Sequence, residues 1–262
     1  MTFGFLSIAL LGYIIGIILV VISTVYRSSK ARHAASVAFA LTWMAHLGAV
    51  IEVGVAAGRI PLGNLPEYLL VLGWAVLSLH LYVWFRLRIH MAGLLLPPMA
   101  AIAALVSLSL LSGEVARSAA RQSALFFFHT AVSTLGMAIL CVAFAMSMLY
   151  ILQDRALKTK MTLGFLQRLP SLEKCDTIGF RALLTGFMLL TLGIGTGVVV
   201  NVEVHRRLWV WQAKGSFALL AWIVFAATLT ARTALGFRGR RSAYLIIAGF
   251  VLAVLTAVGM TL

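Results

Sequence analysis

Apolar runs about as long as a bilayer crossing alternate with short polar breaks along the whole chain. The runs cover residues 3–25, 34–57, 67–85, 91–112, 124–152, 177–201, 215–231 and 243–262. A bilayer core about 30 Å thick takes about 20 helical residues to cross. A backbone in lipid must also satisfy its own hydrogen bonds. The pattern therefore predicts an all-α, polytopic transmembrane helical bundle of about eight spans. No stretch outside the runs is large enough for a second domain, so residues 1–262 read as a single transmembrane domain.

The breaks carry their own signals. In Gly58-Arg59-Ile60-Pro61-Leu62-Gly63-Asn64-Leu65-Pro66-Glu67, Asn64 is placed to cap the third span. Glu67 three residues on completes a capping-box spacing, and Pro66 is tolerated in a first turn. The same stretch also reads as an ordered outer loop roofing a site. Pro97-Pro98 in the fourth span remove backbone donors and are expected to kink it. Residues 153–176 form the longest connector, a charged and solvated face. In the sixth span Gly179, Gly186, Gly193 and Gly197 follow in steps of seven, seven and four, near one helix face. Such a bare stripe lets another helix approach closely, or admits a flat macrocycle. Arg181 near one end of that span can snorkel to the interface.

Composition agrees with the pattern: 62% hydrophobic residues, 11% charged, and a mean hydropathy of +1.05. The formal net charge of +14 would suit nucleic acid, but the location of the charges argues for a membrane and no nucleic acid. Connectors after the first, third, fifth and seventh spans hold fourteen Lys and Arg, and the opposite set holds six. Basic loops stay on the cytoplasmic side, so an even number of spans puts both termini outside. The basic loops also suit anionic membrane lipid. The start, MTFGF, lacks a positive n-region, so the first run reads as a retained helix and not a signal peptide.

Chemistry has few carriers. Only seven acidic residues are present, and there is no HExxH, paired-Cys, Walker or GxGxxG pattern. Cys141 lies in a span and Cys175 in a connector, so no disulfide is expected. No CxxCH occurs, which excludes covalent c-type heme attachment. Histidine and tryptophan remain. His46 and His80 lie about 16 and 20 Å below the outer ends of their spans. That depth match makes them a candidate bis-imidazole pair for one intramembrane heme, or two imidazoles bonded to neighbouring helices. His33 and His90 border basic segments and read as interfacial.

His129 lies about one and a half turns inside the outer end of the fifth span. The connector after the sixth, Val204-His205-Arg206-Arg207-Leu208-Trp209-Val210-Trp211-Gln212-Ala213-Lys214, falls on the same side. Rings supply stacking surface, guanidinium groups meet carboxylates, and imidazole ligates iron. Together they fit an anionic planar ligand. An aromatic belt with arginines in headgroups would look the same by composition.

The chain resembles the cytochrome c assembly membrane-protein family, of the CcsA/HemX-like kind. The resemblance runs in order through residues 59–69, Phe128-His129, Tyr150-Ile151-Leu152-Gln153, Leu157-Lys158, Leu169-Pro170-Ser171-Leu172, residues 186–193 and residues 237–243. The family's tryptophan-rich heme-handling motif is typically WGxYWxWDPKETW. Trp209, Trp211 and Lys214 match its central tryptophans and its lysine. His205 stands for the first Trp, Gln212 for Asp, Ala213 for Pro, Gly215 for Glu and Phe217 for the last Trp. His129 matches the outer heme-ligating histidine. The family's second outer histidine has no counterpart up to Leu262, and its transmembrane histidine aligns with Thr230.

The resemblance implies a heme-interacting membrane protein of a bacterial cytoplasmic (inner) membrane, a heme carrier, chaperone or assembly accessory. Heme b would be held non-covalently by His129, Trp209 and Trp211, with Arg206, Arg207 or Lys214 on the propionates and His205 as a substitute ligand. The departures point away from synthase activity and toward the shorter HemX-like branch. The expected partners are heme, membrane lipid and another membrane protein of cytochrome c assembly or of a respiratory complex. Two other readings stay open: a non-catalytic subunit of a larger complex that has lost heme, and a regulator of heme synthesis acting through residues 153–176.

Overall fold

A computed structural model describes residues 4–114, 123–159, 169–205 and 213–258. Among them are eight α-helices: α1 Gly4–Val25, α2 Ser29–Ala57, α3 Leu65–Phe85, α4 Leu96–Glu114, α5 Ala124–Lys158, α6 Leu172–His205, α7 Ala213–Ala234 and α8 Arg240–Val258. The protein is a polytopic membrane helical bundle. Seven of the helices are, over the described residues, long and apolar enough to cross a membrane, and α8 adds 19 helical residues. Several helices outrun their apolar runs: α2 starts at Ser29 and α5 reaches Lys158. Charged first and last turns stay helical because Ser28 caps α2 and Asp154 pairs with Lys158 across one turn at 2.8 Å.

The helices group into two compact units, a division the hydropathy pattern does not mark. One unit holds α1–α4. Its helices close a ring in which α1 packs on α2, α2 on α3, α3 on α4 and α4 on α1. Gly58, at φ 63°, ends α2 in a left-handed cap. The following connector is built around Glu67, which is 1% exposed. Its carboxylate accepts two guanidinium bonds from Arg59 at 2.7 and 2.9 Å, the Gly63 N–H at 2.6 Å and Asn64 Nδ2 at 3.2 Å. Asn64 Oδ1 in turn accepts the Glu67 N–H at 3.0 Å. The cap forms as expected, but Glu67 reaches back to Gly63.

Pro97 and Pro98 do not kink α4. A short 3₁₀ turn, His90–Leu94, precedes α4, and both prolines sit in its first turn. N–H groups there have no intrahelical partner to lose.

The other unit holds α5–α8 and closes similarly: α5 on α6, α6 on α7, α7 on α8 and α8 on α5. The glycine stripe of α6 lies along α5. A Cβ at Gly186 would meet Leu140 at 2.8 Å, one at Gly193 would meet Ser133 at 2.8 Å, and one at Gly197 would meet His129 at 2.9 Å. Close helix approach is therefore the stripe's use. Cys141 and Cys175 are free and buried. Cys175 belongs to the first turns of α6 and not to a loop, because the helix starts at Leu172.

Candidate functional site

His129 is placed by both long helices of its unit. Ser123 caps α5, and its hydroxyl also donates to Glu203 near the end of α6 at 3.0 Å. That bond holds the start of α5 beside the end of α6. One and a half turns in, the His129 imidazole lies over the bare surface of Gly197, about 12 Å before the end of α6.

The Nδ1 of His129 is 2.9 Å from the Gly193 carbonyl oxygen and 3.2 Å from Thr196 Oγ1. A carbonyl only accepts, so Nδ1 carries the proton and the ring's lone pair is on Nε2. Histidines that ligate metals are oriented this way, the second nitrogen donating to a carbonyl or carboxylate. The tautomer suits axial ligation of iron, and the anchor is a backbone group that cannot titrate away.

The rest of the predicted outer site is less completely placed. His205 is the last residue of α6, and Lys214 lies in the first turn of α7. Arg206, Arg207, Trp209 and Trp211 lie outside the described residues. They join the end of α6 to the start of α7, in the unit that holds His129.

The intramembrane histidines are in the other unit and are not brought together. His46 Nε2 is 3.0 Å from the Leu70 carbonyl oxygen and therefore donates to it. Its Nδ1 then accepts from the Tyr13 hydroxyl at 3.0 Å. Both nitrogens are used to tie α1, α2 and α3 together. The ring meets α3 at Leu70 and Gly73. His80 lies seven to ten residues further along α3, about 10–15 Å away. One heme cannot take both as axial ligands in this arrangement. The depth match fails because the connector folds back on α2, where a Cβ on Gly54 would meet Pro61 at 3.3 Å. The end of α2 thus overhangs the start of α3.

His80 has a different setting. It is fully buried, and neither ring nitrogen has a hydrogen-bond partner among the described residues. Phe39 and Trp84 meet it edge-on, with ring centroids at 4.8 and 5.6 Å. His90 lies against the same indole at 4.6 Å.

One cluster escaped the sequence reading. Arg232 of α7 forms a two-point ion pair with Asp176 of α6. The same carboxylate accepts the Gly239 N–H at 3.1 Å, just before α8. The guanidinium also stacks on Phe180, 4.3 Å from its ring centroid. The signal was a rare acidic residue, but nothing in the sequence pairs it with a residue 56 positions away.

Comparison with known proteins gives the site its context. The sequence profile described as Cytochrome C assembly protein matches residues 62–262, more than three quarters of the chain. This chain belongs to the cytochrome c assembly protein family. The match spans both Glu67 and His129. Among individual relatives, the cytochrome c biogenesis protein CcsA of Guillardia theta is 29% identical, over 95% of this chain and 87% of its own length. CcsA of Microcystis aeruginosa is 31% identical, over 79% of this chain and 77% of its own. CcsA of Trieres chinensis is 30% identical, over 73% and 71%. Membership in the family supports a role in cytochrome c biogenesis and heme handling.

Proposed function

We propose that the protein holds heme b non-covalently at the outer end of its α5–α8 unit, as a carrier, chaperone or accessory in cytochrome c assembly. The carrying observation is the His129 Nδ1–H bond to the Gly193 carbonyl, which fixes the tautomer and directs the lone pair to Nε2. His129 would supply the axial nitrogen, and Trp209 and Trp211 the aromatic shelf. Arg206, Arg207 or Lys214 would pair with the propionates, and His205 is the candidate second ligand. The heme brings the redox chemistry. The chain supplies ligation, orientation and an apolar wall. On this reading the protein sits in a bacterial cytoplasmic membrane with both termini outside, and its departures from the tryptophan-rich motif fit the HemX-like branch better than a synthase. It works beside another membrane protein of the assembly.

The absorption spectrum of the purified protein tests this. A Soret band with reduced α and β bands supports heme, and His129→Gly should lose or shift it and regain it with added imidazole. A colourless full-length protein would favour a non-catalytic subunit that has kept the fold.

A second reading concerns His80, favoured by its two buried nitrogens without partners among the described residues. Such a group in an apolar interior is costly unless something meets it. If His80 ligates a separate heme, His129→Ala should leave part of the spectrum and His80→Ala should remove that part.

A further inference from the structure

Near the start of α6 the α5–α8 unit has an open cleft of about 560 Å³, lined by Glu173, Asp176, Thr177, Phe180, Arg181, Arg232, Thr233 and Arg238. Asp176 and Arg232 neutralise each other across it. Arg181 and Arg238 have no ion-pair partner among the described residues, and both are exposed. With Glu173 in the same lining and Arg238 close enough to act on the Asp176 carboxylate, three guanidinium groups outnumber two carboxylates, so the concave surface keeps a net positive charge, with hydroxyls at Thr177 and Thr233.

The surroundings say what kind of anion fits. Thr177, Arg181, Leu184, Met188 and Leu192 follow at spacings of four, three, four and four, along one face of α6. Leu184, Met188 and Leu192 are 37%, 56% and 54% exposed. A polar cleft thus opens onto an apolar lane running along the helix. A free phosphate has no use for that lane, whereas an acyl chain does. Glu173 in the same lining offers a carboxylate, an acceptor only, which suits a headgroup bearing hydroxyls beyond its phosphate.

We infer that this cleft is a binding site for an anionic glycerophospholipid of the phosphatidylglycerol kind. Arg181 and Arg238 hold the phosphodiester, Glu173 meets the glycerol hydroxyls, and an acyl chain lies along Leu184, Met188 and Leu192. Basic pockets between membrane helices recognise anionic headgroups by the same physics. The site is independent of heme: it lies at the end of α6 remote from His129.

Native mass spectrometry of the full-length protein in detergent tests the inference, with phosphatidylglycerol and phosphatidylcholine of identical acyl chains as probes. Wild type should prefer phosphatidylglycerol by about tenfold or more. Arg181→Gln with Arg238→Gln should lose that preference and keep the wild-type unfolding temperature in phosphatidylcholine. Restoring charge with Arg181→Lys and Arg238→Lys should recover most of it. Inorganic phosphate at millimolar levels should not displace the lipid. Equal binding of the two lipids by wild type, an undiminished preference in the glutamine variant, or displacement by phosphate would each overturn the inference.

Discussion

Gly197 leaves the space that the His129 ring fills: a Cβ there would lie 2.9 Å from the ring's Cε1 and 3.3 Å from its Nδ1. Gly195, two residues earlier on the same helix, has nothing within 4 Å of its Cβ position. The two glycines therefore separate packing from helix propensity.

Gly197→Ala should destabilise the protein by about 1–3 kcal/mol through overpacking and should lower heme occupancy by displacing the imidazole. Gly195→Ala should be neutral or stabilising by up to about 1 kcal/mol. Thermal unfolding in detergent and the Soret absorbance per protein report both effects. Equal behaviour of the two variants would show that the ring is not held against Gly197.

Asp176 and Arg232 clasp α6 to α7, and the Gly239 N–H joins the approach to α8 to the same carboxylate. Asp176→Asn should cost about 2–3 kcal/mol, since it leaves a guanidinium only 9% exposed without its counter-charge. Adding Arg232→Met should cost less than the sum of the single changes. A double-mutant cycle on unfolding free energies measures the difference, and simple additivity would mean the pair is not coupled.

The Tyr13 hydroxyl and the Leu70 carbonyl occupy both nitrogens of His46. Tyr13→Phe should cost about 0.5–2 kcal/mol and leave any heme spectrum unchanged. A spectrum altered by this variant would make His46 a ligand and contradict its structural role.

Much of this architecture was legible in the hydrophobic pattern, because helices in lipid must be long, apolar and self-bonded. The Asn64 cap and the glycine stripe were legible for the same local reasons. What the stripe packs against was not: small residues announce a close approach without naming the partner, and α5 with His129 supplied it. The His46–His80 pair misled because depth was counted from helix ends, while the connector around Glu67 sets a register with α2 overhanging α3. Pro97 and Pro98 misled because the apolar run continues through a 3₁₀ turn that periodicity does not distinguish from helix. The Asp176–Arg232 clasp joins residues 56 positions apart, and only tertiary packing reveals such a pair.

Charge asymmetry predicts outward termini. Single cysteines placed at Ala116 and Lys160 should differ in labelling by a membrane-impermeant reagent applied outside: position 116 should react and position 160 should not. The reverse pattern would invert the topology and move His129 to the cytoplasmic side.

The central claim is that His129, oriented by the Gly193 carbonyl, ligates heme iron. The most direct measurement is the reduced absorption spectrum of wild type, His129→Ala and His129→Gly purified side by side, the last with and without imidazole. The account predicts heme bands in wild type, their loss or shift in both variants, and partial recovery of the glycine variant by imidazole. Wild-type heme content and band positions in both variants would contradict it.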